Sequence, residues 1–71
     1  MTYSVYFRAI ANQEIVIRQH FVENGTLYEV IHFNLVRNAT ESKRTYATLK
    51  QAKQRAYAIV GKIRKEQQNA L

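Results

Sequence analysis

The sequence predicts a small α+β domain in which a three-stranded antiparallel meander packs against one C-terminal helix, in the order β-β-β-α. Two observations lead to this class. Residues 2–37 alternate apolar and polar side chains, as half-buried strands do, and residues 48–67 repeat apolar side chains every three or four positions, as an amphipathic helix does. A chain of 71 residues has room for one domain, spanning 1–71, with a loop at 38–47 between sheet and helix.

Short polar connections divide the first half of the chain into three strands. The strands are predicted at 2–11, 14–23 and 26–37, since each run is rich in β-branched and aromatic residues. Asn24 and Gly25, between the second and third strands, form the strongest turn signal in the chain. Residues 43–47 are predicted as an extended approach to the helix or a short edge strand.

The length of the turn around Gly25 sets the pairing of the second and third strands. A two-residue loop pairs Ile17 with His32, whereas a three-residue loop pairs Ile17 with Ile31 and gathers one apolar face. We therefore predict the three-residue loop, although Glu29 falls on the apolar side in either register. The predicted core consists of Val5, Phe7, Ile15, Ile17, Phe21, Leu27, Ile31, Phe33, Leu35, Leu49, Ala52, Ala56, Ile59, Val60 and Ile63.

The helix has a recognisable start and one irregular position. Thr48 followed three residues later by Gln51 matches a capping box, in which the hydroxyl accepts a bond from a free backbone N–H. Gly61 costs about 1 kcal/mol relative to alanine inside a helix. It therefore indicates a kink, a close contact with another element, or room for a ligand backbone such as a phosphodiester.

The positive charge is concentrated in the second half of the chain. The net charge is +6; residues 1–42 hold three basic against four acidic side chains, and residues 43–71 hold eight against one. Such an asymmetric field favours polyanions. The alternative is a merely solvated face, but solvated helices usually interleave acids with their cations, and this helix does not.

Three groups of residues are candidates for binding. Four cations flank the helix start, where free N–H groups make a phosphate site; alternatively, their small cost is simply tolerated. A stripe of Lys50, Lys53, Tyr57, Gly61 and Arg64 runs along one side of the helix. The second sheet face carries aromatic and basic side chains suited to bases or grooves, and also valines that would suit packing against a second copy.

Several classes of function are not expected. The chain has no cysteine and no aspartate, and two histidines, His20 and His32, are a poor metal signal, so neither a metal nor another cofactor is predicted. No carboxylate pair or nucleophile with a base is recognisable, so catalysis is not expected. The apolar runs are too short for a membrane span and the start lacks signal-peptide character, which predicts a cytoplasmic protein without a membrane partner.

One junction resembles a known DNA-binding family. Residues 44–52 carry an aromatic-x-Thr-x-x-x-Ala pattern that resembles the end of the AP2-like N-terminal DNA-binding domains of tyrosine recombinases. In that family a three-stranded sheet enters the major groove. The resemblance implies that Arg8, Arg18 and Tyr28 contact DNA.

The helix start resembles a second family. Residues 49–53 are similar to the Lys-Lys-x-Ala-Lys helix start of double-stranded-RNA-binding domains. That resemblance implies that Lys50 and Lys53 bridge phosphates.

These observations together predict a small, basic, non-enzymatic nucleic-acid-binding protein, with DNA slightly favoured over RNA. The alternative is a protein-binding regulator or inhibitor, of a phage or mobile-element type, that uses its sheet against an acidic or nucleoprotein partner. A homodimer through the sheet is compatible with both. The predicted nucleic-acid contacts are Lys43, Arg44, Lys50, Lys53, Tyr57, Arg64, Arg8, Arg18, Tyr6 and Tyr28.

Overall fold

The fold is α+β, with an antiparallel sheet and one C-terminal helix, but the sheet has one strand more than the sequence predicts. The computed structural model describes residues 2–69, so residues 1, 70 and 71 of the predicted domain lie outside it. Within this range the sheet order is β1-β2-β3-β4, and the prediction of three strands is wrong. The elements are β1 (Thr2–Ile10), β2 (Gln13–Val22), β3 (Gly25–Asn34), β4 (Ala39–Tyr46) and α1 (Leu49–Asn69).

The fourth strand occupies most of the predicted loop at 38–47. The chain reverses after β3 in a tight turn, where the Arg37 amide donates to Oδ1 of Asn34 at 3.1 Å and Asn38 takes a left-handed φ of 52°. β4 then pairs with β3, with one irregularity beside His32. Its side chains are mostly polar or charged, a composition that protects an edge strand from pairing with other chains.

The β2–β3 pairing differs from the predicted register by one position. Val22 pairs with Gly25 and Ile17 pairs with Val30, so the loop is Glu23-Asn24, and Gly25 enters β3 with a φ of 143° that favours glycine. Because side chains alternate along a strand, a shift of one residue exchanges the two faces of β3. The predicted three-residue loop is therefore wrong.

The core lies between the helix and β2–β3. Its buried residues are Ile15, Ile17, Val30, Ala52, Ala56, Ile59, Val60 and Ile63, and Tyr6, Ile10, Tyr28, Tyr46 and Leu49 pack around them. The predicted core is confirmed for the helix and for β2 at Ile15 and Ile17. It is wrong at five exposed residues: Val5, Phe7, Phe21, Leu27 and Leu35. It is also wrong at Ile31 and Phe33, which are half-buried on the uncovered face because of the register shift.

The helix begins as predicted. Oγ1 of Thr48 accepts a hydrogen bond from the Gln51 amide at 3.2 Å, which satisfies one of the free donors of the first turn. The helix continues without a break through Gly61, where an added Cβ would meet no atom within 4 Å. Gly61 is therefore not packed against another element of the described chain.

Candidate nucleic-acid interface

The buried face of α1 has an exposed flank on each side, and the two flanks differ in charge: one is basic, and the other carries both basic and acidic side chains. Successive helix residues are rotated by about 100°, which places Lys50, Lys53, Tyr57 and Arg64 on the basic flank. Arg55 and Lys62 fall on the opposite flank. The Tyr57 ring meets the Tyr6 ring of β1 edge to face, with centroids 5.8 Å apart and planes at 73°. This contact orients the basic flank towards β1.

Arg8 lies on the same side of the sheet as this flank. Its strand partner is Ile15, a core residue, and residues directly opposite in a ladder point to the same face. Two residues along a strand advance about 6.6 Å and one helical turn about 5.4 Å. Arg8 therefore lies about one turn beyond the Tyr6–Tyr57 contact, at the level of Gly61 and about one turn before Arg64.

Five residues thus form one surface, which we name the β1-side basic surface: Arg8, Lys50, Lys53, Tyr57 and Arg64. All are exposed except Lys53, which is half-buried. Helix α1 packs mainly on β2, β3 and β4, so the helix-facing side of β1 stays open beside it. The structure places helix and sheet cations on one side of the molecule here. The alternation of side chains in β1 predicts Phe7 towards the helix and Arg8 on the second sheet face, and that assignment is wrong.

No acidic side chain neutralises this surface. Within residues 2–69 the ion pairs join Glu29 to His20 at 3.1 Å and to Lys43 at 3.5 Å, and Arg37 to Glu41 at 3.3 Å. None of these pairs includes a cation of α1. Because β1 contains no acid either, every charged side chain of this surface is basic.

The four cations predicted around the helix start are not gathered in one place. Lys43 lies opposite Ile31 on the uncovered face, where it pairs with Glu29, whereas Arg44 lies opposite Val30 on the helix side of the edge strand. Lys50 and Lys53 belong to the flank that faces β1. The first turn therefore has two nearby lysines rather than a cluster of four.

The predicted sheet contacts are divided between the two faces. Arg18 lies opposite Glu29 on the uncovered face, while Arg8 lies on the helix side. Tyr28 and Tyr6 are half-buried and pack against the core. The three residues implied by the recombinase resemblance, Arg8, Arg18 and Tyr28, therefore do not share a surface.

The other helix flank faces β4 across a polar groove of about 430 Å³, which the sequence analysis missed. His32 Nε2 donates to Oε1 of Gln13 at 2.6 Å inside it. Burial lowers the pKa of His32; nearby Glu41 and Glu66 oppose this shift, and Arg55 and Lys62 add to it. The groove mixes both signs of charge, unlike the β1-side basic surface. The register shift brings His32 to the helix, so no local sequence signal could have revealed the groove.

Residues 2–69 contain no group of three histidine or acidic side chains that could hold a metal ion. Helix α1 is not apolar enough to cross a bilayer. Comparison with known proteins found no family model, no curated protein and no solved structure that matches this chain.

Proposed function

We propose that the protein binds nucleic acid by contacting phosphates with the β1-side basic surface. The observation that carries this proposal is the presence of four cations from two elements on one side of the molecule, none of them in an ion pair with an acidic side chain of the described residues. Phosphate contacts of this kind supply affinity and register but read no bases. Binding is therefore expected to be strong at low salt and indifferent to sequence.

The position of the lysines supports a phosphate ligand. Lys50 and Lys53 lie in the first turns of α1, where the helix macrodipole disfavours each cation by about 0.3–1 kcal/mol. A bound phosphate would reverse this unfavourable interaction, since free N–H groups and both ammonium groups would then face an anion. The two lysines therefore destabilise the N-terminal end of the helix in the free protein and would stabilise it in a complex with a phosphate.

The dimensions of the surface suit a nucleic-acid backbone. From Lys50 to Arg64 the helix advances about 21 Å, which is the rise of about six nucleotides along one strand of a duplex. Tyr57, 55% exposed, lies between these cations and presents an aromatic ring on which an unpaired base could stack. The surface therefore offers contacts to duplexes and to single strands.

The test is salt-dependent binding to duplex DNA, duplex RNA and single strands. If Arg8, Lys50, Lys53 and Arg64 each neutralise one phosphate, the logarithm of the duplex association constant should fall with the logarithm of salt with a slope of about −3.6. Replacing the three helix cations by glutamine should reduce the slope to about −0.9. Absence of binding at low salt, or binding that does not change with salt, would reject the proposal.

A matched variant controls for net charge. Arg55→Gln, Lys62→Gln and Lys65→Gln change three cations of the same helix, on the β4 flank or the outer surface, and lower the net charge from +6 to +3 just as the first set does. Circular dichroism is used to check that both variants fold. The control should keep most of the salt slope; an equal loss in both variants would mean that total charge, and not this surface, determines binding.

A further inference from the structure

The face of the sheet opposite the helix is uncovered and carries large apolar side chains among charged ones. We name it the open face; it is defined by Phe7, Glu14, Val16, Arg18, His20, Val22, Leu27, Glu29, Ile31, Phe33 and Lys43. Phe7 is 57% exposed, Val22 46% and Leu27 38%. Val16 and Ile31, at its centre, are half-buried only by their neighbours within the sheet. Apolar surface of this extent on a small protein marks an interaction site.

The charges on the open face differ from those on the rest of the molecule. Arg18 and Lys43 are balanced by Glu14 and Glu29, so the face is formally neutral, whereas the helix carries most of the excess positive charge. Two copies that approach by their helix sides would repel each other. Two copies that approach by their open faces would not, and this favours a second copy as the occupant.

We propose that the open face packs against the open face of a second copy, with a two-fold axis parallel to the strands and between β2 and β3. In each chain Arg18 lies directly opposite Glu29, and Val16 directly opposite Ile31. The two-fold axis exchanges β2 and β3. It therefore sets Arg18 over Glu29 of the second copy and Val16 over its Ile31. At these central positions the face is complementary to itself in both charge and apolar character, while nearer the rim the same axis sets Glu14 over Phe33 and Phe7 over Lys43 of the second copy.

The available area is sufficient for such a contact. Four strands about 4.8 Å apart and about eight residues long present about 500 Å² per copy on the open face. Two copies therefore bury about 1,000 Å², the size at which specific interfaces begin. A chain of 71 residues with eight buried core residues also gains from a second layer, since small domains bury a low fraction of their surface.

Sedimentation equilibrium without nucleic acid tests the inference, which does not depend on the proposed function. The wild-type chain should approach twice its mass of 8.3 kDa as concentration rises. Ile31→Lys should remain monomeric over the same range because it places a charge at the centre of the interface. Val36→Lys is the matched control: Val36 is 77% exposed and lies in the β3–β4 turn, outside the open face, so this variant should still dimerise.

A charge exchange tests the pairing itself and does not depend on how Ile31→Lys folds. Arg18→Glu and Glu29→Arg should each weaken the homodimer, because like charges then face each other across the two-fold axis. An equimolar mixture of the two variants should recover dimer, since the mixed pair has two complementary contacts whereas each variant homodimer has none. The inference is overturned if the wild-type chain stays monomeric. It is also overturned if all three variants still dimerise as the wild type does, which is the result that edge-to-edge pairing of β4 would give.

Discussion

Replacing Gly61 by alanine should stabilise the protein. Gly61 lies in the interior of α1, is exposed, and has no atom within 4 Å of the position where a Cβ would be placed. Alanine therefore adds no clash and removes the extra freedom of glycine from the unfolded chain, so the free energy of unfolding should rise by about 1 kcal/mol. For a domain of this size that corresponds to an increase in Tm of about 4–8 °C.

Urea denaturation followed by far-ultraviolet circular dichroism measures this change. The matched control is Ala58→Gly, an exposed position less than one turn earlier in the same helix, which should lower stability by a similar amount. The reasoning is refuted if Gly61→Ala leaves the unfolding midpoint unchanged or lowers it while Ala58→Gly behaves as expected. In that case the glycine would have a role in the folded chain that its open surroundings do not reveal.

The same variant also tests why a glycine is present at this position. Gly61 borders the β1-side basic surface, between the levels of Tyr57 and Arg64. If it leaves room for a phosphodiester backbone, Gly61→Ala should weaken nucleic-acid binding while it stabilises the fold. A variant that is more stable and binds equally well would show that the glycine is not part of the contact.

Two further substitutions have defined outcomes. Thr48→Ala removes the hydroxyl that accepts from the Gln51 amide, so urea denaturation should show a loss of about 1 kcal/mol; an unchanged midpoint would show that water replaces the cap. The pKa of His32 is lowered from 6.5 by burial, so the folded state binds its proton less readily than the unfolded state. The contribution of His32 to the free energy of unfolding should be constant above pH 6.5 and should be lost as the pH falls through the lowered pKa of the folded state. His32→Gln should remove this pH dependence of stability.

The helix was predictable because its signals are local. A period of 3.6 residues selects one buried face, and the cap at Thr48 requires only residues three positions apart. The helix face also buries small residues, Ala52 and Ala56, which can lie close to a sheet regardless of how that sheet is paired. All of these interactions are present in the structure, and none depends on contacts that are distant in sequence.

Only the end of β4 was predicted, as the short edge strand that was one of two alternatives for residues 43–47, and its first half was not predictable by the same means. Its residues 40–45 are polar or charged, and an edge strand beside the helix buries little of either face, so no alternation of apolar side chains appears. What holds it in place is backbone pairing with β3, which does not depend on side-chain type. The turn before it also depends on Asn34 and Asn38, which sequence alone reads as ordinary loop residues.

The predicted register of β2 against β3 was wrong because both faces of these strands carry apolar side chains. Val30 and Ile31 are adjacent, and either could have faced the helix on the basis of hydrophobicity alone. Glu29 was the one informative residue, since it was assigned to the apolar side in both registers considered. In the structure it lies on the open face and bonds to His20 and Lys43, which removes the conflict.

The two proposed surfaces follow from the same pairing. In β1 successive side chains point to opposite faces, so Phe7 can face the open side only if Tyr6 and Arg8 face the helix. A shift of β1 by one residue against β2 would turn Phe7 to the helix side of the sheet and Arg8 to the open face, away from Tyr57. It would thereby remove an apolar anchor from the open face and a cation from the β1-side basic surface in one step. Loss of the Tyr6–Tyr57 contact would be the direct sign of such a shift, because that ring pair exists only when Arg8 lies beside the helix.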